Sequence, residues 1–133
     1  KNIFLFNCQT RADRIIFEPV SSSVGDKINA LQTLHDAGIK TYAFIGPVLP
    51  KITNVSEILV RVSNFVDFVW IEAINFNAAY QNDVFNSLKA KRPELAEEYG
   101  NLAKDYEKYL APLKNEVSEL KKKYQIKMSF VVH

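Results

Sequence analysis

The chain has 133 residues, 47% of them hydrophobic and 24% charged, and its 17 Lys and Arg stand against 15 Asp and Glu for a formal net charge of +2. This is the composition of one compact domain; it excludes a disordered or low-complexity chain, and the even charge balance excludes a general nucleic-acid binder with a basic face. A lone cysteine, Cys8, excludes a disulfide framework and any zinc site or cluster built from thiolates of this chain alone, and no apolar run approaches the roughly 20 residues of a membrane helix.

The sequence opens on Lys1-Asn2-Ile3 and its single methionine is Met128. With no charged leader, apolar core and small-residue cleavage site at the start, the expectation is a piece cut from a longer chain. Ile3 to Phe6 is an unbroken apolar run that ends in Asn7, Gln9 and Thr10. Continuous apolarity predicts a strand covered on both faces, as in a parallel sheet. Arg11 to Phe17 reads as a short turn of helix closed by Pro19. Ser21 to Ser23 supply N-cap candidates for the next helix, with Asp26 in its first turn; Ile28, Leu31 and Leu34 recur at helical spacing, and Gly38 marks the end.

Thr41 to Leu49 reads as a second buried strand, with Gly46-Pro47 and Pro50 toward its exit. Asn54 to Glu57 resembles a capping box, and a helix to about Asn64 follows with Val55, Ile58, Leu59 and Val62 on its buried stripe. A third buried strand covers Phe68 to Ile74 and leaves through Asn75, Phe76 and Asn77. Tyr80 to Lys91 reads as helix, Pro93 restarts the chain, and Glu94 to Tyr124 is helical, with Pro112 expected near a helix start because an interior proline costs about 3 kcal/mol. Leu113, Val117, Leu120 and Tyr124 form its stripe, and Lys121 to Lys123 complement the helix's negative end as a solvated terminus. Ile126 to Val132 is a final strand. Strand, helix, strand, helix, strand at a period near 30 residues is the βαβ pattern of a parallel sheet with right-handed crossovers.

In such folds ligands sit beyond the carboxyl ends of the strands. That edge carries Asn7, Cys8, Gln9 and Thr10, then Gly46, Pro47 and Val48, then Asn75, Phe76 and Asn77, a set suited to a neutral polar ligand such as a ribose or a base. No GxGxxG or P-loop supports a phosphate site. Glu72 stands out within Val69-Trp70-Ile71-Glu72-Ala73-Ile74, because a buried unpaired carboxylate is expensive. It reads either as a ligand or acid/base group on the inner side of the strands, or as a carboxylate paired with a neighbouring Lys or Arg or exposed on an edge strand. Glu18 reads as a loop-fixing acceptor and Cys8 as an inert small residue with no histidine close in the chain. His35 and His133 make no metal set.

Phe17-Glu18-Pro19, Asp26 to Leu31, Leu34 to Thr41 and Ala43 to Pro50 follow one another at a spacing that resembles the C-terminal half of a radical S-adenosylmethionine (radical SAM) enzyme. The similar branch is spore photoproduct lyase and its relatives, often labelled DNA repair photolyases; Trp70 to Asn75 and the closing Glu-Lys-rich helix and strand fit it as well. The resemblance implies a partial (β/α)6 barrel of the TIM-like kind, with residues 1–133 as its C-terminal part and holding about its last three strands. It also implies a parent enzyme in which a CxxxCxxC loop binds a 4Fe-4S cluster and S-adenosylmethionine is cleaved to a 5′-deoxyadenosyl radical. That loop is absent here, so the chain alone is expected to be inactive and to bind no cluster. The resemblance places the adenosine side of the cofactor site on Asn7, Gly46, Pro47, Glu72 and Asn75, with Asn7 near the ribose and Gly46-Pro47 bordering the adenine. Lys27 for Arg, Lys51 for Gly and Cys8-Gln9 for Ile-Thr depart from the family pattern. The implied partners are the N-terminal part of the parent barrel and nucleic acid as substrate, with no membrane, in the cytoplasm. The rival reading is a non-catalytic α/β binding module, or one that self-associates through open strand edges.

Overall fold

The computed structural model describes residues 3–6, 23–76 and 80–132. In chain order they form β1 (Ile3–Phe6), α1 (Val24–Asp36), β2 (Tyr42–Val48), α2 (Val55–Val62), β3 (Phe68–Ala73), α3 (Tyr80–Lys91), α4 (Pro93–Lys104), α5 (Tyr106–Lys123) and β4 (Lys127–Val131). The expected helical turn at Arg11 to Phe17 lies outside the described residues, as do Asn7, Cys8, Gln9, Thr10, Glu18, Asn77 and His133.

Local signals set the helix limits. Ser23 is the N-cap of α1, its hydroxyl accepting from the Asp26 N–H at 3.1 Å. At the other end Gly38 adopts φ 77, and the Gly38 and Ile39 N–H groups donate to the His35 and Leu34 carbonyls. That pair of bonds is a Schellman closure, and it needs the left-handed residue that glycine supplies without steric cost. Asn54 caps α2 by accepting from the Glu57 N–H at 3.0 Å.

The C-terminal helical segment is divided at Asp105, whose φ of −136 and ψ of 84 separate α4 from α5. The expected helix start therefore falls at Tyr106, and Pro112 lies inside α5 rather than near that start. With no N–H, Pro112 cannot donate to the Lys108 carbonyl one turn earlier. The helix tolerates this because its buried stripe of Tyr109, Leu110, Leu113, Val117 and Leu120 holds it against the core.

All strand pairs are parallel and the order in the sheet is β1-β2-β3-β4. Each crossover therefore steps the same way, and right-handed crossovers that never reverse place the helices on one face of the sheet. Burial along the strands follows. Ala43, Ile45, Val69 and Ile71 are fully buried, while Tyr42, Phe44, Phe68, Trp70 and Glu72 between them are half-buried. The buried row joins one core with Leu31, Ile58, Leu59, Val62, Leu113 and Val117, to which Met128 and Phe130 of β4 also pack. Each fully buried Leu or Ile there is worth roughly 1.5–3 kcal/mol.

The expectation of strands covered on both faces is thus corrected for β2 and β3. Both faces are apolar, but the aromatic one is not part of the core. Its rings touch one another instead, Phe68 against Trp70 at 4.6 Å and Tyr42 against Trp70 at 5.7 Å between centroids. The described sheet is open, with β1 and β4 at its edges, and forms no closed barrel.

Both ends of the β2–β3 pair are pinned by hydrogen bonds. At the start, buried Thr41 receives the Asp67 carboxylate on its N–H at 2.9 Å, donates its hydroxyl to the Phe65 carbonyl, and accepts the Asp67 N–H on its own carbonyl at 2.9 Å. At the finish, the buried Tyr109 hydroxyl donates to the Val48 carbonyl at 3.0 Å and accepts the Ile74 N–H at 2.8 Å.

Replacing Tyr109 by Phe removes both of the latter bonds and leaves the ring. Two buried backbone groups at ~1–3 kcal/mol each predict a loss of roughly 2–6 kcal/mol in urea unfolding; a loss within 0.5 kcal/mol would show that water or a neighbour replaces the phenol. Pro112→Ala restores an N–H to α5 and is expected to raise stability by up to about 3 kcal/mol in the same measurement.

Candidate functional site

The carboxyl ends of β2 and β3 carry four of the five residues singled out from the sequence. Gly46 and Pro47 lie within β2, joined by a cis peptide, at a register shift between Ile45 and Val48. Glu72 is in β3, and Asn75 follows its end. Asn7 lies outside the described residues.

Gly46 and Glu72 are neighbours on the open, aromatic face. A Cβ built on Gly46 would stand 2.7 Å from the Glu72 Cβ and 3.0 Å from its carbonyl oxygen. Only a residue without a side chain lets the two strands come this close. Glu72 sits two residues beyond Trp70 on the same strand, so both point to the same side. Glu72 therefore shares a face with Trp70 and Phe44, at the end of the sheet where ligands of parallel folds collect. One of the readings of Glu72 is excluded: β3 pairs with strands on both sides, so its exposure is not that of an edge strand. The half-open face explains how it avoids the desolvation that a fully covered strand would impose.

Behind this edge three tyrosines of the helical segment grip the exit backbone. Besides Tyr109, the Tyr106 hydroxyl donates to the Ile74 carbonyl at 2.8 Å and the Tyr99 hydroxyl to the Pro50 carbonyl at 2.6 Å. Phe76 packs edge-on against Tyr106 and Tyr109. Thr53 completes the β2 exit turn, its hydroxyl accepting the Leu49 N–H at 2.9 Å. Lys51 in that turn has φ 64, a left-handed conformation in which glycine is more comfortable. The tyrosines were missed from the sequence. Their signal was the spacing of Tyr106 and Tyr109, three residues apart and hence on one helix face.

A cleft of about 620 Å³ opens on the helical side between the β2 exit and α4–α5, floored by Val48, Leu102, Tyr109 and Leu113 and rimmed by Glu98 and Glu116. It was not anticipated, because it forms between segments distant in the chain. His35 is at the end of α1 with its ring edge-on to Phe65 at 6.1 Å. Lys121, Lys122 and Lys123 form the last turn of α5 and are exposed, as a solvated helix end should be. The Arg92 side chain donates to Glu94 at 2.7 Å and holds that exposed carboxyl below its ordinary range, at the start of α4 rather than at the strand ends. Among the described residues no three His, Cys, Asp or Glu side chains are placed to hold a metal ion, and no helix is long and apolar enough to cross a membrane.

Among the described residues the protein is thus an α/β domain with an open four-stranded parallel sheet, helices on one face, and a close approach of Gly46 to Glu72 at the carboxyl ends of β2 and β3. A stretch of 62 residues is 40% identical to the uncharacterized protein MJ0683 of Methanocaldococcus jannaschii; it covers 47% of this chain and 24% of that relative's length. No family model and no solved structure matches the chain.

Gly46→Ala tests the close approach of the strands. The added methyl must push against backbone as well as the Glu72 side chain, so a loss of roughly 1–3 kcal/mol in urea unfolding is expected, and an unchanged midpoint would mean that the strands separate freely there.

Proposed function

We propose that this chain is the C-terminal part of a radical SAM enzyme of the spore photoproduct lyase or DNA repair photolyase kind, and that the ends of β2 and β3 form the adenosine side of its cofactor site. The observation that carries this reading is the close approach of Gly46 to Glu72, on the face that also carries Trp70, at residues belonging to the motif series from Glu18 to Asn75. A parallel sheet in sequential strand order is consistent with an arc of a partial (β/α)6 barrel whose inner face is the aromatic one.

The residues present suit an adenosine. The Glu72 carboxylate and the Asn75 side-chain carbonyl accept hydrogen bonds from ribose hydroxyls or an adenine amino group. The Asn75 amide donates in return, and Gly46 puts no side chain between a flat ring and the backbone. S-adenosylmethionine, bound to a 4Fe-4S cluster held by the N-terminal part of the parent, supplies hydrogen-abstraction chemistry. This chain's share is to bind and orient the nucleoside half and to shield it from water on the aromatic side. The parent acts in the cytoplasm on nucleic acid or on another substrate. A second reading, a non-catalytic self-associating module, is favoured by one feature, the aromatic face outside the core.

Reconstituting the full-length parent with iron and sulfide is expected to give an absorbing cluster and reductant-dependent cleavage of S-adenosylmethionine. Glu72→Gln in that parent is expected to weaken cofactor binding about tenfold or more, since a hydrogen bond to a charged group is worth ~1.5–3 kcal/mol, while leaving the unfolding midpoint in place. A parent with no CxxxCxxC motif before Lys1 overturns the reading.

A further inference from the structure

Beyond Ala73 the chain leaves β3, and two tyrosines of α5 take over what the strand ladder did for its backbone. The Tyr109 hydroxyl accepts the Ile74 N–H at 2.8 Å, and the Tyr106 hydroxyl donates to the Ile74 carbonyl at 2.8 Å. Those two groups belong to successive peptide units, Ala73–Ile74 and Ile74–Asn75. Each unit is planar, so a bond to its N–H or C=O restrains the tilt of the whole plane. On the far side of Asn75, the Phe76 ring stands edge-on to Tyr106 at 5.9 Å and to Tyr109 at 5.6 Å. Half-buried Asn75 is therefore bracketed by two residues that one helical turn holds.

We propose that Tyr106 and Tyr109 are positioning residues of the candidate site, presetting Asn75 to meet the nucleoside. The inference takes its ligand from the adenosine reading and its mechanism from the hydrogen bonds. Ordering a side chain on binding costs affinity, and ordering it beforehand removes that cost. The break at Asp105 serves the same end: it starts α5 at Tyr106, which puts Tyr106 and Tyr109, three residues apart, on one helix face.

The tyrosines divide the work. Tyr109 also donates to the Val48 carbonyl at 3.0 Å, so it ties β2 to β3 and its hydroxyl is needed for stability. Tyr106 acts on the Ile74–Asn75 plane, and its ring is seated against Phe76 and, at 5.5 Å, against Tyr109. A phenylalanine there keeps those ring contacts and removes the hold on the carbonyl. Tyr99 makes the same kind of bond, but to the Pro50 carbonyl beyond β2.

Tyr106→Phe tests the proposal, with Tyr99→Phe as the matched loss of one bond from a phenol to a carbonyl. Nitrogen relaxation in this chain is expected to give the Asn75 amide an order parameter near ~0.85, falling below ~0.6 in Tyr106→Phe and unchanged in Tyr99→Phe. In the reconstituted parent the probe is 5′-deoxyadenosine, which carries only the nucleoside half of the cofactor. Tyr106→Phe is expected to weaken its binding about three- to tenfold, the range that a neutral hydrogen bond spans. In an Asn75→Ala background the same change should cost less than about twofold, because the residue it positions is gone. A purely structural role costs the same in both backgrounds. An unchanged Asn75 order parameter, or equal losses with and without Asn75, overturns the proposal. A parent that does not bind the probe overturns the adenosine reading and with it the ligand named here, while the relaxation result still decides whether the tyrosines hold Asn75.

Discussion

The hydroxyl of Tyr109 reaches the last carbonyl of β2 and the first amide after β3 at once, from a helix that follows both strands in the chain by some distance. Strand ends in a parallel sheet are where backbone groups run out of ladder partners, and a buried group without a partner is costly. Tyr109 satisfies two of them with one side chain, and Tyr106 and Tyr99 satisfy the neighbouring Ile74 and Pro50 carbonyls. The helical segment α4–α5 is thereby fixed to the sheet at the edge where the candidate site lies. Gly46, Pro47, Glu72 and Asn75 can hold their places because the backbone around them is tied from behind.

Much of the fold was legible from residues alone. Ser23, Gly38 and Asn54 announce helix limits through their own hydrogen bonds, which are local and need no knowledge of the rest of the chain. The three-strand βαβ period and a final strand were likewise readable, and the final strand completes the sheet beside β3. Pro112 was misplaced because its cost is local but its compensation is not. The stripe from Tyr109 to Leu120 keeps α5 helical through packing against distant strands. The coverage of β2 and β3 was misjudged for a related reason. An apolar run reports that both faces exclude water-loving side chains, but strand order decides which face the helices reach.

The site shows the same division. Glu72 was conspicuous as a carboxylate in an apolar strand, and Gly46-Pro47 as a break in one. Their adjacency depends on the register of β2 with β3, which no single segment encodes. The aromatic face lies outside the core, and Glu72 shares it with Trp70 and Phe44.

The clasp of Thr41 with Asp67 and Phe65 lies at the opposite end of the same two strands from Tyr109. A strand pair tied at both ends cannot fray from either, whereas β1 and β4 are the outer strands of the described sheet. Opening of the molecule therefore runs inward from its margins, and the amides shared by Ala43, Ile45, Val69 and Ile71 exchange with solvent last. The slow-exchanging nucleus of this domain is one strand pair bracketed by two side-chain knots, so loss of an outer strand can leave the bracketed pair standing.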